Sequence, residues 1–192
     1  MATLNPVISV FGSSQVDGSS QAYQEALEAG ALLAKAGFAV CSGGYAGVME
    51  AVSRGAREAG GFVLGVTTDV FATGRANRWL SREIRTATLL ERLQSMVQMG
   101  SGYLALKGGI GTLTEVSLVW SLLQTRSFEG RPLVLLREPW QGLLDFCTDR
   151  LINRADDFGH VHLADSVADA VRMLSTELDA RVIGQASPPR LP

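Results

Sequence analysis

Short apolar runs alternate with amphipathic segments along nearly the whole chain, and this alternation constrains the fold more than any other feature. The runs predicted to be strands cover residues 7–11, 38–41, 62–66, 84–88, 103–106, 132–136 and 161–163. Most of them are continuously apolar, which is typical of parallel strands covered on both faces. The sequence therefore predicts a Rossmann-like, doubly wound α/β fold. We expect a mainly parallel sheet of about six or seven strands with helices on both faces.

The segments between these runs have helical spacing, and serine, aspartate and glycine mark several of their ends. Six helices are predicted. The first starts after Ser19 or Ser20, and the next two cover residues 48–59 and 89–100. The fourth follows the 103–106 strand and ends at about 124, the fifth covers 140–153, and the last runs from Asp165 or Ser166 to about Leu178. A chain of 192 residues is long enough for one domain with a sizeable core. We expect a single nucleotide-binding domain over residues 1–180 and a loose, proline-containing tail over residues 181–192.

The segment from Tyr103 to Glu115 joins a buried strand, a glycine turn and the start of a helix. Such a junction binds anions, because the first helical N–H groups have no intrahelical partner and carry the positive end of the helix dipole. Glycine also lets a phosphate approach the backbone closely. An ordinary strand-to-helix turn is the alternative interpretation. Glu115, one turn beyond Gly111, favours a functional site.

Two further loops follow predicted strands, namely Gly12-Ser13-Ser14 and the glycine turn at residues 42–47. Ligands of parallel sheets bind at the carboxyl ends of the strands, near the topological switch point. We therefore predict that three loops form one phosphate- or nucleotide-binding site. Its predicted binding residues are Ser13, Ser14, Gly43, Gly44, Gly47, Lys107, Gly108, Gly109, Gly111 and Thr112. In the alternative interpretation, the glycines serve helix–strand packing and the serines are turn or cap residues.

Charge and rare residue types argue against several classes of function. A formal net charge of −2 gives no reason to expect a nucleic-acid or membrane partner. Two cysteines make neither a disulfide framework nor a CxxC metal motif, so we expect a cytoplasmic protein. His160 and His162 have no third ligand in sight, so no metal site is expected. We recognise no signal segment and no apolar run of transmembrane length.

The two glycine motifs resemble those of the Lonely Guy (LOG) family, whose members are often mislabelled lysine decarboxylases. Residues 42–50 match GGGxxGLM with Ser42 in place of the first glycine, and residues 107–115 match PGGxGTxxE with Lys107 in place of proline. The family's MxxRK element falls on residues 89–93. Arg92 keeps the arginine there, and leucines replace the methionine and the lysine. The resemblance covers residues 7–174.

This resemblance implies a Rossmann-like homodimer that hydrolyses the N-glycosidic bond of AMP-like nucleoside 5′-monophosphates. The family's catalytic arginine and glutamate correspond to Arg92 and Glu115, and no cofactor is required beyond a bound nucleotide or phosphate. The related molybdenum-cofactor carrier proteins have the same glycine motifs and bind without hydrolysis; residues 47–56 lean toward that branch. A non-catalytic nucleotide- or molybdopterin-binding protein is therefore the alternative. We reject decarboxylation, since no pyridoxal-phosphate context surrounds Lys107.

Three features leave alternatives open within this interpretation. Lys107 is either an extra cation for a more anionic ligand or a solvent-directed side chain. The leucine in place of the family's lysine, Leu93, puts catalysis in question. Residues 67–80 are polar and irregular, and they form either a binding loop or a solvated one.

Overall fold

The computed structural model describes residues 5–71, 75–128, 130–152, 154 and 156–185, with side chains as far as 179. The strands are β1 (Val7–Phe11), β2 (Ala39–Ser42), β3 (Val63–Thr68), β4 (Arg82–Thr86), β5 (Gly102–Ala105), β6 (Leu133–Leu136) and β7 (Val161–Ala164). The helices are α1 (Gln21–Lys35), α2 (Val48–Glu58), α3 (Leu89–Met99), α4 (Ile110–Gln124), α5 (Arg137–Arg150) and α6 (Val167–Gln185). Strands and helices thus alternate as the sequence predicts, except that β3 and β4 follow one another directly.

The strands form one seven-stranded sheet in the order β4-β3-β2-β1-β5-β6-β7. Every strand pair is parallel, which confirms the predicted doubly wound fold. The chain moves outward from β1 to β4 on one side and then returns to place β5 against the other side of β1, with Phe11 opposite Ala105. The topological switch point therefore lies between β1 and β5, where a ligand crevice is expected.

The helices divide between the two faces of the sheet. One core cluster joins the sheet to α1, α2 and α6 and includes Leu33, Val52 and Leu174, each fully buried. The other joins it to α3, α4 and α5 through side chains such as Met96 and Val119. Each buried side chain of this size contributes about 1.5–3 kcal/mol of transfer free energy. Both faces of the sheet are therefore covered, as continuously apolar strands require.

The helix starts follow from capping chemistry. Ser20, rather than Ser19, caps α1, and its hydroxyl accepts a hydrogen bond from the Tyr23 N–H at 3.2 Å. Thr88 and Glu91 form a reciprocal capping box at the start of α3. Because α3 begins at a fixed residue, the side chains one turn later have a defined direction.

Most predicted boundaries agree with the structure within a few residues. β4 lies two residues earlier than predicted, and α6 extends beyond Leu178 to Gln185. The predicted tail therefore begins with helical residues, and its residues 186–192 lie outside the described part, as do residues 72–74 of the predicted 67–80 loop. Within the described ranges, no helix combines the length and the apolar character needed to cross a bilayer.

Candidate active site

Three loops at the carboxyl edge of the sheet are joined by backbone hydrogen bonds. The Ser13 N–H donates to the Lys107 carbonyl at 3.1 Å, and the Val48 N–H donates to the Ser13 carbonyl at 2.9 Å. These bonds tie the loop after β1 to the turn after β5 and to the start of α2. The structure thus brings the three predicted loops to one place, as parallel strands sharing an edge require.

Two glycines are needed for this close approach. Gly47 has φ of 69°, and a Cβ there would lie 2.5 Å from the Ser13 carbonyl oxygen. Gly43 lies under the Arg92 guanidinium, and a Cβ there would lie 1.8 Å from Arg92 Nη2. Any larger residue at either position would push the loops or the guanidinium apart.

Helix α3 is fixed on the sheet by two buried hydroxyl groups. Ser9 Oγ donates to the Met96 carbonyl and Tyr103 OH donates to the Val97 carbonyl, both at 2.7 Å. Both hydroxyls come from neighbouring strands, β1 and β5, so they set the height of α3 above the sheet. That height places Arg92 one turn before Met96, directed at the ends of the strands.

Arg92 and Glu115 form a buried ion pair between α3 and α4. The distance from Arg92 Nη1 to Glu115 Oε1 is 3.5 Å, and the residues are 6% and 7% exposed. Arg92 Nε donates to the Val66 carbonyl at 2.9 Å, which anchors the guanidinium to β3. Arg92 Nη2 lies 3.8 Å from the thioether sulfur of Met49, a weak acceptor, and so retains donor capacity for a ligand oxygen.

Burial raises the pKa of the Glu115 carboxyl to about 7, against the lowering effect of the adjacent Arg92 guanidinium. Desolvation disfavours the carboxylate, while the positive charge favours it. A carboxyl group with a pKa near neutrality can accept and return a proton at physiological pH. Directly beneath the pair, burial raises the pKa of the Cys41 thiol to about 12, so Cys41 is a packing residue rather than a nucleophile.

Two residues outside the predicted set hold this centre in place. The Tyr45 ring lies 5.8 Å from the Arg92 guanidinium carbon, and its hydroxyl both donates to the Thr68 carbonyl and accepts from the Thr68 N–H. Asn77 donates from its backbone to the Gly44 carbonyl at 2.8 Å and from its side chain to the Tyr45 carbonyl at 3.0 Å. The polar loop after β3 therefore anchors the second glycine turn, a role that its composition alone does not show.

Two neighbouring cavities open at the same edge, between α1, the turn after β5 and the starts of α5 and α6. The first, of about 410 Å³, is lined by Ser13, Gln15, Val16, Asp17, Ser20, Gln21, Ala22, Lys107, Gly108 and Gly109. The second, of about 470 Å³, is lined by Gln21, Ala22, Glu25, Glu28, Lys107, Leu136, Arg137, Glu138, Pro139, Asp165, Ser166 and Val167. Lys107 belongs to both, whereas Arg92 and Glu115 line neither.

The predicted site residues therefore divide into groups. Ser13, Lys107, Gly108 and Gly109 line the first cavity. Gly43, Gly44 and Gly47 are buried around the ion pair and the Ser13 loop, and Thr112 is buried with its hydroxyl against Gly108. Ser14 and Gly111 are exposed and line neither cavity.

The apolar stripe of α3 faces the core of this chain. The spacing in the sequence predicts Leu89, Leu93, Met96 and Val97 on one face of the helix, with Arg92 off that stripe. Leu93, Met96 and Val97 are buried in the core, and Arg92 is buried beside them. Arg92 and Met96 are four residues apart and share a face, because 3.6 residues complete each turn.

The two histidines lie away from this centre, His160 at the end of a short 3-10 turn and His162 on β7. Among the residues that the structure describes, no group of three or more His, Cys, Asp or Glu side chains is placed to hold a metal ion.

The chain is similar to proteins of known family. A sequence profile of the SLOG cluster4 family matches residues 5–171. A cytokinin riboside 5′-monophosphate phosphoribohydrolase of Mycobacterium tuberculosis is 33% identical over 120 residues, which are 60% of this chain and 62% of that protein. The alignment thus spans less than two thirds of that relative.

Two further proteins cover more of the chain. A probable cytokinin riboside 5′-monophosphate phosphoribohydrolase of Oryza sativa subsp. japonica is 32% identical over 164 residues, 80% of this chain and 69% of that protein. The structure of the molybdenum cofactor carrier protein of Chlamydomonas reinhardtii matches with a TM-score of 0.69 and 28% identity, covering 91% of this chain and 99% of that one. Proteins named as hydrolases and a protein named as a carrier are therefore both similar to this chain.

Proposed function

Because the chain belongs to the SLOG cluster4 family, we propose that it is a phosphoribohydrolase acting on AMP-like nucleoside 5′-monophosphates. The observation that carries the proposal is the buried Arg92–Glu115 pair at 3.5 Å, beside two glycine loops at the carboxyl edge of the sheet. Two relatives more than 30% identical bear the name of this activity. The products would be the free base and ribose 5-phosphate.

Glu115 is suited to the hydrolytic step. The reaction breaks the C1′–N9 bond, whose electron pair leaves with the base, and forms a bond from a water oxygen to C1′. The ribose becomes oxocarbenium-like on the way, and a nearby carboxylate stabilises that charge. Glu115 accepts a proton from the attacking water, and its pKa of about 7 allows that proton to be passed on to the departing base.

Arg92 and the glycine turn bind the ribose and the 5′-phosphate. Arg92 Nη2, whose partner in the structure is the weak acceptor Met49 Sδ, donates to a ribose or phosphate oxygen while Nη1 keeps Glu115 in position. The 5′-phosphate lies on the turn at Gly108-Gly109, at the N-terminus of the 15-residue helix α4, where Gly109 caps the helix without a side-chain hydrogen bond. The first N–H groups of that helix are free to bind phosphate oxygens.

A non-catalytic carrier of a nucleotide or molybdopterin-type cofactor is the second candidate. Glu115 is only 7% exposed, which favours binding without turnover, and the family's lysine is replaced by the buried Leu93. The likeness to the Chlamydomonas reinhardtii carrier protein supports the same alternative.

Base release separates the two candidates. Purified protein is incubated with AMP and with N6-substituted AMP, and the free base is followed by chromatography beside a Glu115→Gln control. Base release by the wild type alone supports the hydrolase. Tight binding in calorimetry without any base release supports the carrier, and base release equal to that of the Glu115→Gln protein contradicts the hydrolase.

We also propose that two copies associate through the start of α3 and α4. Leu90 and Ile110 are 77% and 81% exposed there, and Leu89 adds a partly exposed third apolar side chain. Large apolar side chains exposed to this degree at the starts of two helices favour a surface that another chain covers. A two-fold dimer would bury the same patch from both subunits.

A further inference from the structure

The two cavities at the carboxyl edge are neighbours that share Lys107, Gln21 and Ala22. One lies over the phosphate turn, and the other continues over the ends of β6 and β7. Their volumes, about 410 and 470 Å³, each fall in the range of a small-molecule site. The groove they form is therefore larger than a phosphate group alone requires.

The catalytic pair does not line this groove. A nucleoside monophosphate with its glycosidic bond at Glu115 and its phosphate on the Gly108-Gly109 turn would keep its reacting bond outside this groove, because Glu115 lines neither cavity. The groove runs from the same turn along α1 to the starts of α5 and α6. A monophosphate would therefore leave it empty, and anything that fills it must be attached to the phosphate.

Lys107 is placed to bind a second phosphate. Its side chain is exposed, lines both cavities and makes no ion pair with any residue in the described part of the chain. Arg137, the other cation of the groove, is already paired with Asp165. Lys107 thus carries the only unpaired positive charge among the described residues of the groove, directly beside the glycine turn.

The far cavity has the opposite character. Glu25, Glu28 and Glu138 line it and make no ion pair within the described ranges; Glu25 accepts a hydrogen bond from the Gln21 amide. Ionised carboxylates accept hydrogen bonds and repel further anions. The part of a ligand that reaches these carboxylates is therefore not anionic, and hydroxyl groups are suitable donors to their oxygens.

We propose that this protein binds a nucleoside 5′-diphosphate whose second phosphate carries a hydroxyl-rich group such as a sugar. The first phosphate lies on the glycine turn, the second on Lys107, and the hydroxyl-rich group lies against Glu25, Glu28 and Glu138. Lys107 is then a specificity-determining residue. The inference takes from the proposed function only the position of the first phosphate and of the nucleoside.

Calorimetry with AMP, ADP, ATP and ADP-ribose tests this assignment, performed on the Glu115→Gln protein so that no ligand is consumed. We expect ADP-ribose to bind at least about tenfold more tightly than AMP, and ATP to gain nothing over ADP, because its third phosphate meets the carboxylates. Equal affinity for AMP and ADP-ribose would overturn the proposal. Tighter binding of ATP than of ADP-ribose would do so too.

Substitutions at the two lysines test whether the extra affinity for ADP-ribose over AMP comes from Lys107. Lys107→Met should lower the affinity for ADP-ribose about tenfold and the affinity for AMP much less, and Lys107→Arg should restore most of it. Lys35→Met is the matched control, since Lys35 is the chain's other lysine and lies exposed at the end of α1. A loss shared equally by AMP and ADP-ribose, or reproduced by Lys35→Met, argues against the second-phosphate site.

The outcome is separable from that of the proposed reaction. Base release from AMP by the wild type, without any preference for ADP-ribose, removes this inference and leaves the hydrolase. A preference for ADP-ribose that depends on Lys107, without base release from AMP, removes the hydrolase and leaves the binding site.

Discussion

Replacing Arg92 with methionine should raise the pKa of Glu115 and move its ionisation out of the physiological range. Glu115 titrates at about 7 with the guanidinium 3.5 Å away. An opposite charge at this distance lowers a carboxyl pKa by about 1–3 units, so the Arg92→Met protein should titrate at about 8–10. At pH 7 the ionised fraction would fall from one half to between about one tenth and one thousandth. Hydrolysis by an ionised Glu115 would fall about 5- to 500-fold at that pH.

The measurement is a pH titration of ¹³C-labelled glutamate carboxyl groups by NMR, with Glu115 assigned by its loss in the Glu115→Gln protein. Arg92→Lys keeps a positive charge and should leave the pKa closer to 7. Arg82→Met, at an exposed arginine of β4, is the matched control and should leave it unchanged. A wild-type Glu115 that titrates below about 5, as an ordinary carboxyl group does, would refute the reasoning. An unchanged pKa in Arg92→Met would refute the role given to the ion pair.

Three further predictions follow from the same geometry. Gly43→Ala should lower the stability by about 1–3 kcal/mol and kcat/KM about 100-fold, because the new Cβ would meet Arg92 Nη2. Gly18→Ala, with open space around the residue, is the control and should change neither the melting temperature nor the rate. Folding raises the pKa of Glu115 from 4.5 to about 7, so the folded state binds its proton more tightly than the unfolded chain does. This contribution to the free energy of unfolding is complete below pH 4.5, and up to about 3 kcal/mol of it is lost as the pH rises to about 7. Denaturant unfolding should show this loss in the wild type relative to Glu115→Gln, and parallel pH profiles would contradict it. Leu90→Glu should turn a dimer into a monomer in light scattering, whereas Phe62→Glu, at an exposed residue just before β3, should not; a monomeric wild type would argue against the dimer.

The order of strands and helices could be predicted because it depends on neighbours along the chain. The largely apolar runs at 7–11 and 133–136 favour parallel strands that are covered on both faces. Capping works over three residues, so Ser20 was among the predicted starts of α1. β4 begins two residues before the predicted run at 84–88. Arg82–Thr86 has hydrophobic character only at Ile84, so pairing with β3 rather than its own pattern fixes its position.

The three loops of the predicted site meet in the structure, but the sequence says little about what surrounds them. The glycine motifs predicted a phosphate turn, and the backbone bonds between Ser13, Lys107 and Val48 show that these loops are contiguous. The contributions of Tyr45 and Asn77 were missed, because a tyrosine between glycines and an asparagine in a polar loop have no distinctive pattern. Their signal is their position, since Asn77 lies 32 residues beyond the carbonyl of Tyr45 that it binds.

The sequence by itself determined the alternation of elements, the parallel sheet and the glycine turns, because each depends on residues within one turn or one strand. Only the tertiary structure decided that Arg92 is buried, that burial raises the pKa of Glu115 to about 7 and that Lys107 lines two cavities. Arg92 and Glu115 are 23 residues apart, and their meeting depends on two helices each packed against the same sheet. Desolvation and charge are set by every atom that surrounds a group, and most of those atoms belong to residues distant in sequence.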